Sequence, residues 1–327
     1  MVDVNELQEK AREVLAGDDV RRLIGWKRGT YGYEAAPTVL KDVSEVDQLI
    51  FDATCVQNPA SFITLEEKRP VPRGQEPDTR KIAVMVKGCD SRAVVQQLVE
   101  KAYDRDDVIV LGIPCRGVID RRKAEKLFGE STEPVVASTN GDKVTVEVGG
   151  EKKEADRKDI LMDKCMRCRY PNPLVSDFLL GEEVEKWADD EFGDVDEFEK
   201  MTPEDKWKFW DEQFSKCIRC YSCRNVCPMC YCVECVVTKT RPQWTRRSTD
   251  ISENTVYHIQ RAWHLAGRCI ECMECQRVCP VDIPIMTLNR KLTRDVKEMF
   301  DFEPGVDVES EPLLACYKPN DPEEYIM

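Results

Sequence analysis

Eight cysteines stand in two copies of one pattern, CIRCYSCRNVCP at 217–228 and CIECMECQRVCP at 269–280. Each copy spaces its thiols as C-x2-C-x2-C-x3-C-P, the ligand run of a 4Fe-4S cluster. Cysteines three apart on a tightly wound loop reach three irons of one cubane. The proline then turns the fourth cysteine away, toward a second cluster. By this logic Cys217, Cys220, Cys223 and Cys279 hold one cluster, and Cys269, Cys272, Cys275 and Cys227 hold the other. Zinc prefers paired C-x2-C elements, so a zinc-stabilised scaffold without redox chemistry is the weaker reading.

The chain has 327 residues and 17 cysteines, enough length for two domains without disulfide staples. Its charged amphipathic start, MVDVNELQEKAREVL, has none of the apolar core of a signal peptide. Thiols grouped at ligand spacing then imply a reducing, cytoplasmic setting. A net charge of −14 disfavours nucleic acid, and no apolar run approaches the ~20 residues that span a bilayer. His258 and His264, the two histidines of the chain, argue against triads and histidine-rich zinc catalysis and fit packing or surface roles.

The predicted class is α+β. Residues 1–181 are expected to form an α/β domain. KIAVMVKG (81–88) predicts a strand, SRAVVQQLVEKAYDR (91–105) a helix and DVIVLGIP (107–114) a second strand, together a βαβ unit. PVVASTNGDKVTVEVGG (134–150) predicts a hairpin turning at Asn140-Gly141. Residues 182–212 carry fourteen acidic residues and four lysines among interleaved aromatics, which suits a solvated helical linker or a docking segment for a basic partner. Residues 213–300 form the mainly helical cysteine domain. In its spacer Val256, Ile259, Ala262, Trp263 and Ala266 recur at helical spacing up to Gly267, and a further helix follows the second run. Residues 301–327 are an acidic, proline-containing tail.

This second domain resembles the helical dicluster ferredoxin domain of heterodisulfide reductase subunits and succinate dehydrogenase iron–sulfur proteins. A second resemblance rests on VMVKGCDSRAVVQQLVE, VIVLGIPCRGVIDRRK and KCMRCRYPNPLVSDFLLGE, in that order, within residues 80–182. These segments look like the beta-subunit family of coenzyme-reducing hydrogenases and formate dehydrogenases, whose members use a deazaflavin coenzyme with FAD and an iron–sulfur cluster. The family's usual ferredoxin motif precedes this region, whereas here the dicluster domain follows it. The likeness implies a place near cluster and flavin for Cys115 in GIPC and for Cys165 with Cys168. A third cluster on Cys115, Cys165 and Cys168 follows, with Cys55 or Cys89 as fourth ligand.

Cys230, Cys232 and Cys235 in CPMCYCVEC are surplus to the repeat. Cys232 and Cys235 can join Cys165 and Cys168 in a zinc or iron–sulfur site, or the three can serve a fourth cluster with one cysteine of the α/β domain, or remain packed thiols. Cys316 is expected to be unliganded.

Cubanes ligated wholly by cysteine leave no iron open to substrate, so one-electron transfer is their natural work. The leading expectation is an iron–sulfur relay subunit of an anaerobic oxidoreductase. Its partners would be flavoprotein, heterodisulfide-reductase-like, hydrogenase or formate dehydrogenase subunits. The alternative is a subunit that itself binds FAD, exchanges hydride with a deazaflavin or nicotinamide coenzyme and passes electrons to its own clusters. The chain has no G-x-G-x-x-G. VKGCDSRAV either offers backbone N–H groups to a phosphate or is an ordinary strand–helix connection.

Overall fold

In the computed structural model, which describes residues 2–67, 70–189 and 192–313, short β-branched runs become buried strands. Two units emerge, one of residues 1–94 and 103–190, the other of 95–102 and 191–327.

The first unit opens with α1 (Val4–Leu15), which buries Leu7, Ala11, Val14 and Leu15 at helical spacing behind an Asp3 N-cap. There follow β1 (Val20–Lys27), β2 (Ala36–Leu40), α2 (Ala60–Glu67), β3 (Lys81–Val86), α3 (Gly88–Val99), β4 (Val108–Gly112) and α4 (Arg121–Phe128). Next come β5 (Val136–Asn140), β6 (Lys143–Val148), β7 (Glu151–Asp156), the short turns α5 (Arg157–Ile160) and α6 (Asp163–Met166), and β8 (Phe178–Leu179).

The main sheet has the order β2-β1-β3-β4-β8. β1, β3, β4 and β8 run parallel, and β2 adds antiparallel to β1. The expected βαβ unit is therefore β3-α3-β4, with Ile82 opposite Val108 and Val86 opposite Gly112. Leu23, Trp26, Leu40, Leu49, Ala83, Met85, Leu111 and Ile113 form part of one core cluster. Full burial of each large aliphatic side chain contributes roughly 2 kcal/mol.

The hairpin departs from its predicted turn. Asn140 pairs with Lys143, so Gly141 and Asp142 make the bend, with Gly141 at φ 56°. The asparagine extends the strand, and the glycine supplies the left-handed position one residue later than expected. β7 completes a separate antiparallel sheet, β5-β6-β7. Its sequence, EKKEAD, has no apolar alternation to announce a strand.

The second unit takes in residues 95–102, including the last turns of α3. It contains α7 (Gly193–Glu199), α8 (Pro203–Ser215), α9 (Ser222–Asn225), α10 (Ile251–Trp263), α11 (Glu274–Arg277) and α12 (Ile285–Phe300). Thr202 caps α8 from its side chain and Pro203 takes the first helical position. The expected apolar stripe of α10 is a correction. Its buried residues are Asn254, Tyr257, His258, Arg261 and Ala262, whereas Val256 and Trp263 are exposed. Polar groups turn inward because the inner face of α10 meets sulfur and backbone carbonyls, as the site below shows. His258 stacks on Phe214 with ring centroids 4.6 Å apart. Burial, with the Arg261 and Arg219 charges, pushes its imidazole down to about 3. Among the described residues no helix is long and apolar enough to cross a membrane.

Candidate iron–sulfur sites

The two cysteine runs are wound alike. Cys217 follows directly on the C-cap of α8, and Cys269 comes two residues after Gly267, which has φ 68°. Arg219 and Tyr221 in the first run have φ 55° and 61°, and the equivalent Glu271 and Met273 have φ 57° and 56°. A single-turn helix follows in each case, α9 and α11. Left-handed backbone at residues with a Cβ costs about 1–3 kcal/mol each and persists only where the surroundings impose it. Alternating left- and right-handed residues turn successive N–H groups inward, the arrangement that receives anions and iron–sulfur clusters. Accordingly the Arg219 N–H donates to Cys217 and the Glu271 N–H donates to Cys269.

Each loop is also pinned by its side chain at that same position. Arg219 donates to Glu253 O at 2.7 Å and Arg246 O at 2.9 Å. Glu271 pairs with Arg290, which reaches Asp194 at 2.8 Å from its other edge. Asn254 Nδ2 donates to the carbonyls of Phe214 and Cys217, each at 3.0 Å.

The fourth cysteine of the first run meets the second run. A small cavity is lined by Cys227 of the first run together with Cys269, Cys272 and Cys275 of the second. Arg261, Leu265, Ile270, Met286 and Asn289 complete much of its wall. Burial, then Cys275, then Cys227 push the Cys269 thiol up to about 12. Cys217 is raised by burial and by Cys223 and Cys279, against its N–H bond from Arg219. Tyr257 Oη lies 3.3 Å from Cys223 Sγ, and the Ile283 N–H donates to Cys279 Sγ at 3.4 Å. Asn289 Nδ2 is 3.8 Å from Cys275 Sγ, and its Oδ1 is buried without a hydrogen-bond partner. The walls thus carry thiols, donors and a buried cation, the chemistry that a cluster of bridging sulfides and thiolates needs. The residues fit the group.

Cys230 is bound to the neighbouring thiol. It hydrogen-bonds Cys227, which holds Cys227 down and pushes its own thiol up. Cys232 is exposed and Cys235 is half-buried. Among the described residues no three of the His, Cys, Asp and Glu side chains are grouped as ligands of one metal ion. A cubane takes one thiolate per iron and so does not require that convergence. Cys316 lies outside the described residues.

In the first unit a second set of thiols shares one field. Burial, then Cys165, push Cys115 up to about 12, and Cys168 adds to this. Cys168 rises to about 11 through burial and Cys165. Cys89, at the start of α3, is pushed up by burial, and Asp90 and Cys115 add to this. The same N–H device recurs here. Gly117 N donates to Cys115 Sγ at 3.4 Å, Tyr170 N donates to Cys168, and Val118 N reaches Cys165 Sγ at 3.4 Å. Cys55 lies in the apolar core, against which Cys115 packs, beside Asp52 N and Ile50 O. Sequence reasoning missed Lys87, which is 1% exposed. Its Nζ lies 2.7 Å from Asp90 Oδ2 and 3.9 Å over the Trp26 ring. Burial works against its charge, and Asp90, Cys89 and Cys115 outweigh it and hold Lys87 protonated. Burial raises Asp90 while Lys87 pulls it down. The short contact and the backbone N–H at 3.0 Å make the two an ion pair. A lysine directly after a strand end is easily read as surface, so no pattern announced it.

The N-terminus of α3 is filled by protein. A Cβ at Gly88 would come 1.9 Å from Tyr170 O, and Asp90 already accepts from Lys87 N. This turn is an ordinary strand–helix connection.

Residues 216–284 match the family model described as a 4Fe-4S dicluster domain. The chain is 24% identical to the F420-dependent formate dehydrogenase subunit beta of Methanocaldococcus jannaschii, over 89% of each chain. It is 25% identical to the F420-dependent formate dehydrogenase 1 subunit beta of Methanococcus maripaludis, over 90% of this chain and 88% of that one. A chain of the F420-reducing NiFe hydrogenase complex from Methanosarcina barkeri superposes with a TM-score of 0.41 at 14% identity, covering 50% of this chain and 59% of that chain.

Proposed function

We propose that this chain is an iron–sulfur electron-transfer subunit of an oxidoreductase complex. Cys217, Cys220, Cys223 and Cys279 hold one 4Fe-4S cluster, and Cys269, Cys272, Cys275 and Cys227 hold a second. The observation that carries the reading is the cavity lined by Cys227 with Cys269, Cys272 and Cys275, thiols from two runs 41 residues apart. The dicluster match over the same residues supports it.

Bound there, such clusters supply reversible one-electron transfer with no iron left open to substrate. The chain's own residues do the rest. Arg219 and Arg290 fix the loops, and the Arg219 and Glu271 N–H groups stabilise negative charge on sulfur. Leu265, Ile270 and Met286 keep water from the second site, which strengthens every charge interaction inside it. Cys220 is exposed, so the first site has an edge at the surface where electrons can be exchanged.

A third cluster on Cys89, Cys115, Cys165 and Cys168 extends the relay into the first unit. The shared field of these four thiols and the N–H bonds to Cys115, Cys165 and Cys168 support it, with Cys89 rather than Cys55 as the fourth ligand. The names of the relatives favour a formate dehydrogenase or hydrogenase assembly and the deazaflavin F420 as its coenzyme. They also favour a second reading, in which the first unit binds FAD and exchanges hydride with that coenzyme. A small cavity lined by Pro114, Cys115, Gly117, Thr139, Leu180 and Gly181 opens beside the third thiol group.

Anoxic purification with iron, sulfide, zinc and flavin quantitation tests both. Eight or twelve irons per chain with matching sulfide is the expected result. Colourless, zinc-loaded protein would sink the relay. A flavin band that persists on gel filtration decides for the hydride-exchanging form.

A further inference from the structure

Arg261 lies on the inner face of α10, 5% exposed. Its Nη2 donates to Cys223 O at 2.9 Å, in the first run. It also lines the cavity of Cys227, Cys269, Cys272 and Cys275, and its guanidinium hydrogen-bonds the Cys275 thiol. Its Nε is buried with no hydrogen-bond partner. Among the described residues it makes no ion pair with a carboxylate. The neighbouring Arg268 differs, since Glu100 already neutralises it.

An unpaired buried cation is among the costliest things a fold can hold. It persists where an anion answers it. A guanidinium keeps its charge in a protein. Cys227 and Cys275 belong to the second ligand set, and Cys223, whose carbonyl takes the Arg261 hydrogen bond, belongs to the first, so one guanidinium touches both.

We infer that Arg261 is a shared counter-ion to the two clusters, a positioning residue that raises the reduction potential of both. Each cluster becomes one unit more negative on reduction, so a fixed positive charge in a water-poor site favours the reduced form of each. The inference rests on the two-cluster reading above.

Potentiometric titration of the full chain under anoxic conditions, followed by EPR, is the test. Wild-type protein should show two 4Fe-4S signals, and their absence would overturn the two-cluster reading itself. In Arg261→Gln both clusters should lose at least tenfold in the equilibrium constant for reduction, a fall of about 59 mV for a one-electron couple. Arg261→Lys keeps the charge and should shift both by less than that. A loaded Arg261→Gln in which one cluster or neither moves overturns the shared counter-ion. Should Arg261→Gln fail to hold iron, Arg261→Lys decides. Iron retained with both potentials near wild type supports a requirement for charge. Iron lost from the lysine variant too makes Arg261 a packing residue and ends the proposal.

Discussion

The thiols of the first unit and those of the second are both set among buried cations and both receive backbone N–H groups, yet they are assembled in different ways. In the second unit eight cysteines arrive in two local runs, each shaped by two left-handed residues and a single helical turn. In the first unit Cys89 stands at the start of α3, Cys115 after β4, and Cys165 and Cys168 in and after α6, so the sheet must form before they meet. The cations differ in kind as well. Lys87 is tied to Asp90 inside the first unit, whereas Arg261 has only sulfur and a carbonyl to answer it. Local spacing therefore specifies one kind of site, and tertiary contact order specifies the other.

Removing thiols has the largest expected effect. Cys165→Ser with Cys168→Ser should release about four irons per chain and leave the dicluster signals intact. Cys55→Ser should release none, because that thiol sits in the apolar core. Iron analysis beside EPR reads both, and an unchanged iron content in the double variant would remove the third cluster. Cys279→Ser sharpens the contrast within the second unit. It should disturb the cluster of Cys217, Cys220 and Cys223 and spare that of Cys269, Cys272 and Cys275. The opposite pattern would mean that each run closes on itself.

This contrast also explains what could be read in advance. The dicluster domain and the β3-α3-β4 unit were legible because a spacing or a short buried run carries its own geometry. The face of α10 was not. Hydrophobic periodicity selected Val256 and Trp263, while Tyr257, His258 and Arg261 are the residues that turn inward. Apolar spacing finds a helix packed on hydrocarbon, and α10 packs in part on sulfur and carbonyl oxygen. The choice between Cys55 and Cys89 could not be made from sequence either, since both sit in loops or helix starts near the strands. β7 escaped because its residues are mostly exposed and charged, so pairing with β6 rather than burial makes it a strand.

Next in size are the ion pairs. Lys87→Met leaves Asp90 buried without its partner and should cost about 3–5 kcal/mol, seen as a fall in the denaturation midpoint. In the second unit Glu100 accepts from Arg268 and Tyr231 in a partly solvated setting. Glu100→Gln should cost less, about 2 kcal/mol. Burial raises the Glu100 carboxyl, but the bonds from Arg268, Tyr231 and Gln96 outweigh it and hold it below the ordinary value. The unfolded chain then binds more protons than the folded one between the two values. This part of the stability is present above the unfolded carboxylate pKa of about 4.3 and is lost as pH falls through the lower folded value. Acid titration of stability should be shallower in Glu100→Gln. Equal acid sensitivity in variant and wild type would show that the pair contributes nothing in this range.

The smallest effect separates the two clusters most cleanly. Tyr257 is 1% exposed, held edge-on against Tyr221, with its hydroxyl 3.3 Å from Cys223 Sγ. Burial and the charge of that sulfur raise the phenol, so Tyr257 keeps its proton, and with Cys223 as a cluster ligand its hydroxyl would donate to that sulfur. Its bond belongs to the first ligand set, where Arg261 faces both. Tyr257→Phe keeps the ring and removes one donor, about 1 kcal/mol or roughly fivefold in the reduction equilibrium of the first cluster. The second cluster should not move. A shift in both, as large as that of Arg261→Gln, would show that the hydroxyl acts by holding α10 in place, and the first site would then have no donor of its own from that helix.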